Sequence, residues 1–315
     1  MSRKVLITGS IAYDVLLASD GSFVDALKGA SLDALSVSFV TPHFKRHHGG
    51  TGSNIAWNVK LLGGEPLLAG TVGSDGGPYV ALLQERGISI EYIETLPDHV
   101  TATAIVATDN GERQISFFHP GADSFGSWPD LSDEREHVAM AIVSARSIPQ
   151  MNRAIEWCVR QKVPLLFDPG QQVHGFSDDE LKRALKGSRG VAVNAYESDL
   201  LQKRLHLSEQ ALADQLGFLI VTQGEEGCAV YEKGKRTELP ACRAERVVNP
   251  TGAGDAFRGG LLTGIAAGWS LVDAAKLGSS IGSFVVEQEG TLLQSIDPED
   301  VWARAQETYG ALPKL

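Results

Sequence analysis

Val247-Val248-Asn249-Pro250-Thr251-Gly252-Ala253-Gly254-Asp255-Ala256-Phe257-Arg258 sets a turn of small residues directly against a helix. The helix is expected over 254–267. A helix start carries unpaired N–H groups and the positive end of a dipole, so it suits an anion such as phosphate. Small residues at Gly252, Ala253 and Gly254 let that anion reach the backbone. Asp255 falls in the first helical turn, where a carboxylate can take a proton from a hydroxyl beside a bound phosphate. The stretch alone leaves a plainer reading open: a glycine turn ahead of an ordinary helix, with Asp255 as a favourable first-turn acid.

A second segment has the same design. Gly49-Gly50-Thr51-Gly52-Ser53-Asn54 precedes Ile55, Ala56, Val59 and Leu62, which share one helical face until Gly63-Gly64 stops the helix. Asn54 adds an amide able to donate and accept, as a sugar hydroxyl requires. The two segments, in this order and far apart in the chain, resemble the paired motifs of the ribokinase-like (PfkB) carbohydrate and nucleoside kinases. The resemblance spans nearly the whole chain.

The rest of the pattern agrees with an α/β architecture. Strands are expected at 4–8, 67–72, 141–144, 165–168, 191–194 and 219–222, and helices at 79–86, 151–162, 254–267, 271–286 and 298–309. Such alternation implies a parallel sheet covered on both faces, with ligands at the carboxyl ends of its strands. Segments 11–18, 35–40, 101–107 and 114–118 alternate without intervening helices. Asp109-Asn110-Gly111-Glu112 marks a hairpin between the last two. They group as a small antiparallel sheet. The resemblance makes that sheet a lid, built from roughly 11–18, 35–48 and 101–121, within a single kinase domain spanning 1–315.

Composition narrows the function. The 315 residues are 43% hydrophobic, enough for a substantial core, and the net charge is −11. A nucleic-acid backbone binder would need a basic face, so none is expected as a partner. Cys158, Cys228 and Cys242 are odd in number and fit no metal spacing, which suggests reduced thiols in a cytoplasmic protein. The N-terminus shows no signal-peptide pattern, and no apolar run approaches the ~18 residues of a membrane span. His43, Lys45, Arg46, His47 and His48 are expected in a solvated loop.

Further candidates take their roles from the resemblance. Asp14 follows the first strand, where it is either a turn acid or, by the resemblance, the carboxylate that holds vicinal sugar hydroxyls. Ser10, Ser38, Gly50 and Asn54 fall where related kinases hold the nucleoside. Phe118 offers a surface for a purine, and Gln171 and Gln172 offer amides for base edges; a Phe pair packing the lid and Gln side chains in solvent are the alternatives. With Gly9-Ser10-Ile11-Ala12-Tyr13-Asp14 these resemble the bacterial adenosine kinases. Asn194 and Glu197 form either a capping box or the family's Asn-x-x-Glu element, in which Glu197 serves Mg²⁺. Thr222, Gly224 and Gly227 resemble a turn lining the ATP site, with a simple hairpin turn as the alternative. Gly278 and Ser279 either flank the adenine of ATP or serve helix packing.

The resemblance implies ATP-dependent phosphorylation of the adenosine 5′-hydroxyl, a purine-salvage reaction. Broader nucleoside range, a ribose-type sugar kinase and a non-catalytic nucleoside sensor are the alternatives. The resemblance also leaves a homodimer open. Asn249 stands where many relatives carry an Asp that helps bind a monovalent cation, which puts that cation in doubt here.

Overall fold

The computed structural model describes residues 3–28 and 36–314. The chain starts at the centre of the large sheet with β1 (Lys4–Thr8) and leaves it for β2 (Ala12–Ala18), α1 (Phe23–Leu27) and β3 (His43–Gly49). It returns through α2 (Thr51–Leu61), β4 (Pro66–Gly73), α3 (Gly77–Glu85) and β5 (Ile93–Leu96). A second excursion forms β6 (Ala102–Thr108) and β7 (Gln114–His119). The remaining strands are β8 (Val138–Ser144), β9 (Leu165–Asp168), β10 (Gly190–Asn194), β11 (Phe218–Thr222), β12 (Cys228–Glu232) and β13 (Lys235–Leu239). Between β8 and β11 lie α4 (Ile148–Gln161), α5 (Asp178–Gly187), α6 (Ala195–Leu205) and α7 (Glu209–Leu216). The chain ends in α8 (Ala253–Ala266), α9 (Leu271–Val285) and α10 (Pro298–Tyr309).

Among the described residues the large sheet has nine strands in the order β13-β12-β11-β10-β9-β8-β1-β4-β5. Pairings from β5 to β11 are parallel, and β12 and β13 add an antiparallel edge. Each face of the sheet has its own core. In β1, Val5 and Ile7 join the side chains of α2 and α8, while Leu6 joins those of α4 and α5 on the opposite face. This is the near-continuous apolar strand that double coverage demands. The strand order reverses between β1 and β8, so a crevice opens past their carboxyl ends.

Helices α8 and α9 pack almost backbone to backbone. A Cβ on Gly260 would stand 2.7 Å from the Gly278 Cα, and one on Gly264 would stand 2.8 Å from Ala274. Gly278 and Ala274 of α9 thus permit this close helix packing.

The small sheet runs β3-β2-β6-β7. Its outer pairings are antiparallel, and the central β2–β6 pairing is parallel because the chain crosses the large sheet between them. The expected strand at 35–40 is not found: residues 36–40 form none, and residue 35 lies outside the described residues. The lid's edge strand is β3, which carries the His43–His48 cluster expected in a loop. Register explains the miss. β3 pairs β2 residue for residue, from Ala12 with Gly49 to Ala18 with His43, although its own sequence has little apolar alternation. Arg46 lies over the Tyr13 ring at 3.5 Å, and His48 packs against Tyr79.

Candidate active site

The carboxyl ends of β1, β8, β9, β10 and β11 open on a cleft of about 1040 Å³. Ser10, Asp168, Asn194 and Thr222 line it from the strand ends, the start of α8 from above, and Phe118 from the lid.

The start of α8 is built for exposure of its N–H groups. Gly252 has φ 88, a left-handed conformation that favours glycine, and no side chain caps the helix. A Cβ on Gly252 would also stand 2.9 Å from Thr291 Cβ. Asn249 Oδ1 accepts the Thr251 N–H at 2.9 Å and so fixes the turn. The Ala253 N–H makes a long bond, 3.3 Å, to the Pro250 carbonyl. The start of α2 differs. Ser10 Oγ accepts from Thr51 N at 3.1 Å and its carbonyl from Gly52 N at 3.0 Å. That helix end is already satisfied, and Gly50 (φ 94) is locked against the Ser10 backbone. The two glycine turns look alike in sequence, yet of the two only the turn before α8 is free for an anion.

Asp255 is half-buried at the cleft. Asn54 Nδ2 donates to its Oδ2 at 2.8 Å. Burial pushes its carboxyl up to about 7; Asn54 and Arg258 pull it down, while the charges of Asp168 and Asp14 push it further up. Asp14 is half-buried in β2, and burial raises it to about 6, against the pull of His47. Gly49 must be small, since a Cβ there would press on the Asp14 carboxylate.

Arg258, on the second turn of α8, ties the site together. It is 5% exposed. Its Nη2 donates to Asp168 Oδ1 at 2.8 Å, and its Nη1 donates to the Gly254 carbonyl at 3.2 Å. Ser144 donates to the other Asp168 oxygen at 2.7 Å. A second buried arginine, Arg146, pairs with Asp123 and donates to Thr8 and Thr71, which joins the lid's return to the crossover point. Sequence gave no sign of either pairing, because the partners are distant and charged residues in a cleft read first as ligands.

Asn194 and Glu197 form the capping box: Asn194 Oδ1 accepts from Glu197 N at 2.8 Å, and Asn194 N donates to Glu197 Oε2 at 2.9 Å. The box leaves Glu197 Oε1 without a hydrogen-bond partner among the described residues. Burial and neighbouring Asp168 raise the proton affinity of Glu197, opposed by the Asn194 N–H and Arg258. No cluster of three or more His, Cys, Asp or Glu side chains that could hold a metal occurs among the described residues. One carboxylate acting through water fits Mg²⁺ and would not suffice for zinc.

Gln171, Gln172, Gly224, Gly227, Gly278 and Ser279 also line the cleft. Gly227 has φ 102 and packs on the Leu239 carbonyl, so its place in the β11–β12 turn has a structural cause as well. Ser279 Oγ accepts from the Cys242 N–H at 3.0 Å. Ser38 is exposed on the segment 36–40 and does not line the cleft; nor do Asp14, which adjoins Gly49, Gly50, which abuts the Ser10 backbone, and Asn54, which contacts Asp255 at the cleft's edge.

A wide sheet with an uncapped glycine helix start over its carboxyl ends, a carboxylate beside it and a small sheet as a lid is an arrangement that can receive an anionic ligand. Residues 2–297 match the pfkB family carbohydrate kinases, and the chain belongs to that family. It is 29% identical to a nucleoside kinase of Methanothermobacter thermautotrophicus, with 99% of each chain covered. A fructokinase of Escherichia coli is equally 29% identical, over 84% of this chain and 85% of its own. The Burkholderia thailandensis nucleoside kinase, solved in complex with inosine, superposes with a TM-score of 0.85 at 34% identity, covering 98% of this chain and 99% of its own.

Proposed function

We propose that this protein is an ATP-dependent nucleoside kinase that phosphorylates the 5′-hydroxyl of adenosine, yielding AMP and ADP. The observation that carries the reading is the joint presence, in one cleft, of the Asp255–Gly254 helix start and of Phe118 with Gln171 and Gln172. The first pair can transfer phosphate, and the second group can hold a flat base. Nucleoside kinases match at 34% and 29% identity over nearly the whole chain and a fructokinase at 29% over 84% of it, so similarity favours a nucleoside acceptor without choosing among nucleosides.

In this reading Asp14 accepts hydrogen bonds from the ribose hydroxyls. Asp255 takes the 5′-hydroxyl proton as that oxygen bonds to the γ-phosphorus, and the bond to the β,γ-bridging oxygen breaks to release ADP. The N–H groups at Gly252 and Gly254 hold charge on the transferring phosphoryl oxygens. A carboxyl near 7 is well matched to accept that proton at neutral pH. Glu197 would hold Mg²⁺ through water, and the ion would neutralise charge on the ATP phosphates. Thr222, Gly224, Gly278 and Ser279 would contact ATP. The product places the reaction in purine salvage.

A second reading is a broad purine nucleoside kinase. Glutamine amides can donate or accept after a flip, so they suit a 6-amino or a 6-oxo purine. The Burkholderia thailandensis relative was solved with inosine. ADP release from Mg-ATP across adenosine, inosine, guanosine, cytidine, ribose and fructose 6-phosphate tests both. A preference for adenosine supports the first reading, and similar purine rates the second. Preference for a sugar or sugar phosphate would refute both, and no turnover on any acceptor would favour a nucleoside sensor.

A further inference from the structure

Thr291 lies six residues beyond the end of α9 and is 2% exposed. Three parts of the site meet on it. Its hydroxyl is 2.9 Å from Asn54 Oδ1 and 3.1 Å from the backbone carbonyl of His48, the penultimate residue of lid strand β3. Its Cβ and methyl face Gly252, where an added Cβ would stand 2.9 and 3.0 Å away. Asn54 in turn donates to Asp255 at 2.8 Å. A continuous chain of groups therefore runs from the lid backbone through Thr291 and Asn54 to Asp255.

A hydroxyl has one proton, and here two acceptors compete for it. When Thr291 donates to Asn54 Oδ1, the amide presents Nδ2 to Asp255 and favours the ionised carboxylate. When Thr291 donates to the His48 carbonyl, its own oxygen can accept from an inverted Asn54 amide. Asn54 Oδ1 then faces Asp255, where it suits only the protonated acid. Only the second arrangement also serves the His48 carbonyl from Thr291, and the two differ in whether Asp255 carries the proton. We propose that Thr291 is a positioning residue: from a loop that also holds lid strand β3, it orients the Asn54 amide and so biases Asp255 toward its ionised form. This rests on the reading of Asp255 as the base.

Other groups set the charge at Asp255 and stay in place when Thr291 is changed. Arg258 of α8 pulls its proton affinity down, while Asp168 at the end of β9 and Asp14 of β2 push it up. The Tyr79 hydroxyl of α3, also near, donates to the Gly49 carbonyl.

The experiment is kcat/KM against pH, with Mg-ATP and adenosine, for wild type, Thr291→Val, Thr291→Ser and Asp255→Asn. Val keeps the bulk against Gly252 and removes the hydroxyl. Its acid limb should move up by about one pH unit, roughly a tenfold loss below the limb, with KM for adenosine little changed. Ser should restore the limb. Where Val disturbs folding, Thr291→Ala removes the same hydroxyl and carries the same expectation. A wild-type limb in Val or Ala, or equal losses for Val and Ser at every pH, overturns the proposal. Full turnover in Asp255→Asn would instead refute the base reading on which it stands.

Discussion

Arg258→Met would test whether the cleft is held together by a buried ion pair. The Arg258 and Asp168 side chains are 6% and 5% exposed and meet at 2.8 Å. Removing the guanidinium leaves Asp168 charged and buried, with only the Ser144 hydroxyl and no cation. Breaking such a pair from one side costs about 3–5 kcal/mol. Asp168→Asn added to Arg258→Met removes the stranded charge and keeps an acceptor for Ser144. Replacing both partners of a buried pair is often near neutral, so the double variant should recover most of the loss. Turnover should not recover with it, because in both variants the Gly254 carbonyl loses the guanidinium that anchors the first turn of α8. Urea unfolding and steady-state ADP release on the same samples separate the two effects. A cost below about 1 kcal/mol for Arg258→Met would refute the buried-pair argument. Recovery of turnover in the double variant would refute the anchoring role.

Asp255→Asn should reduce turnover by orders of magnitude while nucleoside binding persists, and it should stabilise the protein at pH 8. The sign follows from the raised carboxyl: the folded state binds this proton more tightly than the unfolded chain, so its contribution is present below the usual carboxylate range and lost as pH rises through about 7. Relief of that penalty is at most about 4 kcal/mol at pH 8 and fades near pH 4, measured by urea unfolding at both pH values. Equal effects at both would show the carboxylate to be well solvated. Weak activation by K⁺ is expected, since Asn249 lacks a charge and its oxygen is committed to the Thr251 N–H. Turnover titrated with KCl at constant ionic strength checks this, and a large K⁺ requirement would contradict it.

The core strands were legible in sequence because burial on both faces forces apolar runs, as in Leu67–Ala69 and Leu219–Val221. Strand β3 was not, because its stability comes from pairing with β2 and from Arg46 over Tyr13. The Asp255 turn could be read from glycines and one acid at fixed spacing. What sequence could not give was the difference between the two glycine turns. Ser10 fills the helix start of α2 from forty-one positions away. Nor could it show that Asn54 faces Asp255, or that Thr291 faces Asn54, since those contacts bridge 201 and 237 positions. Asn194 and Glu197 could be read both ways, and the structure explains why: one Glu197 oxygen serves the cap, and the residue also lines the cleft.

The charge inventory of the cleft raises the question of how a protein of net charge −11 would hold ATP. Among the described residues lining the cleft, the cationic side chains are Arg146, Arg243 and Arg258. Arg146 is committed to Asp123 and Arg258 to Asp168, so neither offers free charge to a phosphate. Asp168, Glu197, Glu225 and Asp255 line the same cleft with the opposite sign. One helix start supplies about half an elementary charge, far short of a nucleoside triphosphate. On the proposed function, the balance would come with the nucleotide, as a divalent cation. Chelation of Mg²⁺ should therefore weaken ATP binding at least tenfold in calorimetry while adenosine binding, which needs no charge compensation, changes little. Glu197→Gln should lower the dependence of ATP affinity on Mg²⁺ and leave the α6 cap largely formed, because the amide oxygen still accepts from Asn194 N. ATP that bound equally well without the ion would mean that Arg243 and the α8 start carry the phosphates by themselves.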